Sequence, residues 1–210
     1  MKKISIVFPL YNEEKRLNNL FKGVKNFSRS KIGKPLEFIF VDDGSTDNTA
    51  EKISKFINKF KMNKHKYKLI KIKNNRGKGN ALKLGVKKAS YNWIFTTDAD
   101  LSVDLYQTVK WFKKYTLKDN YAYFGSRNHP QSKLKFRYYR KITGYIFRFF
   151  VFLFIDKNIL DTQCGFKLYN KKYAKDIFTK LRTSGYAHDI ELIYLLKLKK
   201  MFFGIKVFLI

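Results

Sequence analysis

Strand-length apolar runs and helix-period segments alternate along the first hundred residues, and that alternation constrains the chain more than any other feature. Ile4 to Leu10 is a largely apolar run of strand length, and Leu17, Leu20, Phe21, Val24 and Phe27 recur at helical spacing behind the acidic pair Glu13-Glu14. Leu36 to Val41 repeats the strand signal. The turn Asp42-Asp43-Gly44-Ser45-Thr46-Asp47 then opens a helix with Ala50, Ile53, Ile57 and Phe60 on one face. Lys68 to Ile72 reads as a third strand, and the glycine-containing loop Asn74 to Asn80 leads into a helix through Ala81, Leu82, Val86 and Ala89. Tyr91 to Thr97 is the fourth strand, ending directly in Asp98-Ala99-Asp100. Strand and helix in this order predict a mostly parallel sheet with helices on both faces, an α/β fold whose ligands bind where the strands stop.

Beyond the acidic pair the pattern loosens. Val103 to Tyr115 reads as a helix, Tyr121 to Gly125 as a strand and Ser126 to Lys135 as a polar loop. A Thr162 to Tyr169 segment, a helix from His188 to Lys199 and an apolar run from Phe202 to Ile210 follow. No repeat or linker divides the chain, so residues 1–210 are expected to form one catalytic domain. Its last apolar run is an abrupt finish, and a missing final strand or helix is the alternative to a complete end.

Composition narrows the partners. Forty-five basic against sixteen acidic residues give a formal charge of +29, which favours polyanions: nucleic acid, anionic lipid or phosphorylated substrates. The lysines are spread along the chain, so a generally solvated basic surface is as consistent as a dedicated patch. A single cysteine, Cys164, excludes an internal disulfide framework and a thiolate zinc site. The amino terminus enters its first strand after two lysines, without a secretory signal, which predicts a cytoplasmic location. The longest apolar stretch, Ile142 to Ile155, contains Arg148 and as a helix reaches only about 21 Å, short of a roughly 30 Å hydrocarbon core. Either it lies in a membrane interface, with Lys141 and Arg148 reaching headgroups, or it is an ordinary core segment.

Three loops at the ends of successive strands carry groups suited to a nucleotide. Tyr11, in Pro9-Leu10-Tyr11-Asn12-Glu13, offers a ring to stack on a base, and Asp43 offers a carboxylate to a base or ribose. Asp98 and Asp100 offer hard oxygen donors to magnesium or manganese together with a diphosphate. Each has a structural alternative: Pro9 ends a strand, Tyr11 is a half-buried wedge, Asp43 and Ser45 cap a helix, and Asp98 and Asp100 are solvated turn residues. Their convergence on one sheet edge favours the nucleotide. Arg76 and Lys78 add cations over the diphosphate or belong to a solvated loop. Gly77-Lys78-Gly79 is neither a dinucleotide fingerprint, because Leu82 stands where the third glycine belongs, nor a Walker loop.

These segments resemble the family-two inverting glycosyltransferases of the GT-A fold. The resemblance rests on Ile6 to Glu13, Val41 to Asp47, Arg76 to Ala81 and Thr97 to Ser102, in this order. Within the family, Gly125-Ser126-Arg127, Asp161 to Tyr169 and His188-Asp189-Ile190-Glu191-Leu192 are most similar to the branch that glucosylates dolichyl phosphate, with the polyprenyl-phosphate mannosyltransferases next. The resemblance implies a Rossmann-like nucleotide-diphospho-sugar transferase sheet, a UDP-glucose or GDP-mannose donor, a divalent cation and a polyprenyl phosphate acceptor at a membrane. It implies that Pro9, Tyr11, Glu13 and Asp43 hold the nucleoside, Asp98 the ribose and metal side, and Asp100 the cation. Arg127 and Arg140 match cations near the acceptor phosphate, Arg127 also in a catalytic role. Asp189 stands where relatives acting on hydroxyl acceptors place a base; acceptor orientation and a plain helix-start carboxylate are its other readings. Ser102 departs from the glutamine that mannosyltransferase relatives often carry near the metal, which favours the glucosyl branch and leaves the third ligand open. Soluble polysaccharide or protein glycosylation is a further reading within the family. A basic RNA-binding protein is the reading from another class, disfavoured because many aromatic residues sit at helical core spacing or in the Phe147 to Phe154 block.

Overall fold

Every strand expected before Asp98 is present in the computed structural model, which describes residues 2–29, 35–60, 64–119, 122–126, 161, 163–185 and 187–198, and the backbone of 205–209. Strands β1 (Ile4–Leu10), β2 (Leu36–Asp42), β3 (Lys66–Lys71) and β4 (Trp93–Thr96) alternate with helices α1 (Leu17–Arg29), α2 (Thr49–Phe60), α3 (Lys78–Lys88) and α4 (Tyr106–Lys114). The chain continues with β5 (Ala122–Ser126), β6 (Lys167–Asn170), helix α5 (Lys171–Lys180), helix α6 (His188–Leu198) and β7 (Ile205–Leu209). The strands form one sheet in the order β3-β2-β1-β4-β6-β5-β7.

Pairing is parallel between β1 and β2, β1 and β4, β2 and β3, and β5 and β7, while β6 runs antiparallel to both β4 and β5. The sheet is therefore mostly parallel, as the alternation predicts, with one reversed strand inserted between β4 and β5. Helix α5 has no counterpart in the sequence reading, although Ala174, Ile177 and Phe178 lie at helical spacing on its buried face. It follows β6 without a linker. Asn170 ends the strand and caps the helix at once, its side chain accepting from Lys172 N at 3.0 Å, so no turn residues mark the boundary.

Both faces of the sheet are covered. Ile4, Ile6 and Phe8 of β1 pack with Leu20, Val24 and Phe27 of α1, Ile53 of α2 and Trp111 of α4. Val7 points the other way, into a second core with Ala81 and Val86 of α3, Ile177 and Phe178 of α5, and Leu192 and Ile193 of α6. This two-sided burial follows from strand geometry, in which successive side chains point to opposite faces. β3 forms one edge of the sheet and carries exposed Lys66 and Lys71. Among the described residues no helix is long and apolar enough to cross a membrane. The Ile142 to Ile155 stretch lies outside the described residues.

A buried carboxylate fastens the end of the sheet remote from Asp98. Glu37 of β2 accepts from Ser5 Oγ of β1, from Ser90 N at 2.7 Å and Ser90 Oγ at 2.8 Å, and pairs with Lys68 of β3 at 2.6 Å. Burial alone pushes the Glu37 carboxyl up, but Lys68, Ser5 and Ser90 together hold it below the ordinary 4.5. A carboxyl with a depressed folded pKa contributes stability that is complete above the unfolded value and is lost as pH falls through the folded one. Glu37→Gln is expected to lower unfolding free energy by about 2 kcal/mol at pH 7. Denaturant unfolding at pH 7 and pH 4 checks this: the difference between variant and parent narrows at the lower pH.

Candidate functional site

The ends of β1, β2 and β4 and the start of α3 surround a cavity of about 510 Å³. Pro9, Tyr11, Glu13, Asp43, Lys78, Asp98 and Asp100 all line it, so seven of the residues singled out in the sequence share one cleft. Arg76 enters differently, through its backbone. Arg127 and Arg140 lie outside the described residues.

The loops are tied to one another by side chains bonding to neighbouring backbone. Asn12, at φ 51° in the left-handed region, donates its N–H to Ser45 Oγ at 3.0 Å, and its side chain accepts from Thr46 N at 2.9 Å. Glu13 N donates to Thr49 Oγ1 at 2.9 Å and Glu14 N to Asp47 Oδ2 at 3.2 Å. Those bonds join the first loop to the second. The second is joined to the β3–α3 loop by Asp43, whose Oδ1 and Oδ2 accept the N–H groups of Arg76 at 3.1 Å and Gly77 at 2.7 Å. Burial pushes the Asp43 carboxyl above its ordinary range, and the two amides pull it back.

Behind the β3–α3 loop stands the segment before α6. Gly79 N donates to Ser184 O at 2.6 Å, and Glu191 fixes the segment by accepting from Arg182 N at 2.9 Å and Thr183 N at 2.6 Å. Gly77 has φ 93°, and a Cβ there would meet Ser184 O at 2.5 Å. The glycines of Gly77-Lys78-Gly79 thus serve close backbone approach, and the N–H groups of both are already taken by Asp43 and Ser184.

Asp98-Ala99-Asp100-Leu101 forms a tight turn. Leu101 N donates to Asp98 O at 3.3 Å, and Ser102 N donates to Asp100 Oδ1 at 3.0 Å. Leu101 adopts φ 49°, which costs a bulky L-residue about 1–2 kcal/mol and is held by its side chain packed against α1 at Gly23. Asp98 is fixed from two sides. Lys78 Nζ lies 2.6 Å from its Oδ1, and a Cβ on Gly165 would come within 2.6 Å of the carboxylate.

Arg16, Asn75 and Gly185 also line the cleft and were not singled out in the sequence. Arg16 pairs with Glu13 through both Nε at 2.6 Å and Nη2 at 2.8 Å. Burial pushes the Glu13 carboxyl up while Arg16 draws it down. The three-residue spacing of Glu13 and Arg16 was the available signal. Asn75 and Gly185 carried none.

Asp189 lies outside this cleft. It is the second residue of α6, 5 % exposed, and its Oδ1 pairs with Lys167 Nζ of β6, with His188 Nε2 at 3.3 Å. Lys167 is itself 2 % exposed. A lysine between Phe166 and Leu168 in an apolar strand was the trace of this pair in the sequence. The pair borders a cavity of about 10 Å³ that Lys78 separates from the cleft, since Lys78 lines both. Burial lowers the His188 pKa, with Asp189 opposing, and raises the Tyr169 phenol well above its ordinary range, with Asp189 adding to the effect.

Residues 5–178 match glycosyl transferase family 2. A dolichyl-phosphate beta-glucosyltransferase of Dictyostelium discoideum is 35 % identical over 91 % of the chain and 61 % of that relative. The dolichyl-phosphate beta-glucosyltransferase of Saccharomyces cerevisiae is 34 % identical over 91 % and 62 %, so the chain spans about three fifths of these relatives' length. Among solved structures, S. aureus TarS 1-349 in complex with UDP superposes with TM-score 0.61 at 20 % identity, covering 98 % of the chain and 57 % of TarS 1-349. A mannosyltransferase from Pyrobaculum calidifontis in complex with GDP-Man and Mn2+ gives 0.59 at 14 %, covering 91 % and 52 %. Mannosyl-3-phosphoglycerate synthase from Rubrobacter xylanophilus gives 0.70 at 14 %, covering the whole chain and 66 % of the synthase. At these identities the structures establish the shared GT-A fold.

Asp43→Ala removes the acceptor of two part-buried loop amides and is expected to cost about 1–3 kcal/mol. Hydrogen exchange is the direct check: the Arg76 and Gly77 amides accelerate, while those of β1 and β2 change only with global stability.

Proposed function

The chain belongs to glycosyl transferase family 2, and we propose that it transfers glucose from UDP-glucose to a polyprenyl phosphate of the dolichyl type, with inversion. The observation that carries this reading is the tying of the strand-end loops into one cleft presenting Tyr11, Asp43, Lys78, Asp98 and Asp100 together. The similarity to dolichyl-phosphate beta-glucosyltransferases over more than nine tenths of the chain supports the choice of branch.

Tyr11, 45 % exposed at the rim, offers a ring face to the base, and Asp43 offers the oxygen lone pairs left by its two amides to base or ribose. Pro9 and Glu13, with Arg16 holding the Glu13 carboxylate in place, line the nucleoside end. Asp98 and Asp100 fit magnesium or manganese by donor chemistry: two hard carboxylates open to a cleft suit an ion that completes its shell with phosphate and water oxygens. When bound, the ion would neutralise charge on the departing diphosphate. Lys78 and Arg76 add positive charge on the same side.

An oxygen of the acceptor phosphate attacks the anomeric carbon. The new carbon–oxygen bond forms as the bond to the diphosphate breaks, and that electron pair leaves with UDP. A phosphate monoester has its second pKa near 6 and is mostly dianionic at neutral pH, so the nucleophile needs no base. Asp189, buried against Lys167, then orients the α6 segment and leaves proton transfer aside. Arg127 and Arg140 are assigned to the acceptor phosphate by resemblance. The charge of +29 and the Ile142 to Ile155 stretch support peripheral contact with an anionic membrane at the cytoplasmic face.

Transfer to a short polyprenyl phosphate with manganese, compared across UDP-glucose and GDP-mannose, tests the donor: UDP-glucose is expected, and GDP-mannose use moves the chain to the neighbouring branch. Salt-sensitive RNA retention without any donor binding removes the transferase reading. Asp100→Ala is expected to lower kcat/KM by about 100-fold or more at saturating metal. Asp189→Asn separates phosphate from hydroxyl acceptors. It is expected to destabilise by about 3 kcal/mol while kcat per folded molecule falls by less than about tenfold; a loss of about 100-fold or more restores a general base.

A further inference from the structure

Asp98 already holds a cation supplied by the chain itself. Lys78 Nζ sits 2.6 Å from Asp98 Oδ1, whereas Asp100 Oδ1 is held by the neutral amide of Ser102. An ammonium and a divalent ion on one carboxylate oxygen repel each other, so either can hold that oxygen but not both at full strength. The carboxylate has no room to retreat, because Gly165 stands behind it so closely that a Cβ would overlap it. The backbone around Lys78 is equally fixed, with Gly77 N bonded to Asp43 and Gly79 N to Ser184 O. What can move is the lysine side chain, four methylenes long, 20 % exposed and lining the open cleft.

We propose that Lys78 is an exchangeable counter-ion which occupies Asp98 until a nucleoside diphosphate enters, then transfers to the diphosphate and releases Asp98 to the divalent cation. The proposal rests on the cleft binding a nucleoside diphosphate with metal. Its new content is that ion and diphosphate bind as a coupled pair through one side chain. Without the diphosphate, Lys78 screens the carboxylate and metal alone binds poorly. With it, the negative charge draws the ammonium away, and Asp98 and Asp100 act together. By linkage, metal strengthens diphosphate binding by the same factor. Lys167, which borders the small cavity beside Lys78, cannot exchange in this way, being 2 % exposed and paired with Asp189.

Manganese binding to the full chain, followed by the loss of free-ion paramagnetic signal with and without saturating UDP, tests the proposal. The parent is expected to bind manganese at least about tenfold more tightly with UDP than without. Lys78→Met keeps the length and removes the charge; it is expected to bind manganese alone about tenfold more tightly than the parent and to lose most of the UDP enhancement. Lys78→Arg, which keeps the charge, follows the parent. Lys73→Met, which removes one charge from the exposed loop preceding Lys78, leaves metal-only affinity within about twofold, as expected of a cation screened by solvent. Thermal melts verify folding, and Lys78→Gln replaces the methionine variant if that one melts early. Unchanged metal-only affinity in the uncharged variants, with UDP and manganese still binding the parent together, overturns the counter-ion role alone. Equal gains in Lys78→Met and Lys73→Met do the same. Failure of the parent to bind UDP at all overturns both this proposal and the reading of the cleft.

Discussion

Asp43 holds the β3–α3 loop to the β2–α2 loop through the N–H groups of Arg76 and Gly77, and the cleft depends on that pair of bonds. From Gly77 the constraint passes along the chain to Lys78 and on to Gly79, bonded to Ser184 O. From Lys78 it passes across to Asp98. Loops that follow separate strands have no ladder to align them, and their buried polar backbone must be satisfied by something. Here side-chain carboxylates and carbonyls do so, turning separate connections into one rigid rim. The same economy leaves fewer amides at the start of α3 for an anion, because the N–H groups of Gly77 and Gly79 are engaged within the protein.

In a chain of such positive charge, three acids at or beside the working end each face a cation of their own. Glu13 faces Arg16, Asp98 faces Lys78 and Asp189 faces Lys167. Exposure grades these pairs by what they can do. Lys167 and Asp189 are buried together, where separating the charges is costly, so that pair acts as a fixed strut. Lys78 and Asp98 border open space, where an incoming charge can compete for either partner.

The first half of the fold was legible because its information is local. β1 to β4 and the helices between them each announce themselves within a dozen residues, and connections between parallel neighbours leave few topologies. The cleft residues were legible for the same reason, since strand ends in a parallel sheet share one edge. The reversed direction of β6 was not legible, because its partners Trp93 to Thr96 lie some seventy residues earlier in the chain and no turn type announces the pairing. α5 was lost where Asn170 serves strand and helix at once. The burial of Asp189 was hidden because its partner Lys167 looks, by itself, like one more lysine among many.

β3 gives part of that lysine excess a second meaning. Among the described residues it is an outermost strand, with a row of backbone donors and acceptors turned away from its partner β2, and exposed Lys66 and Lys71 stand at its two ends. A second molecule aligning its own edge there would bring like charges together at strand spacing. The ammonium groups therefore keep the sheet from growing across molecules, and a family member with a less basic edge would need a bulge, a proline or a covering loop to stay apart from its copies.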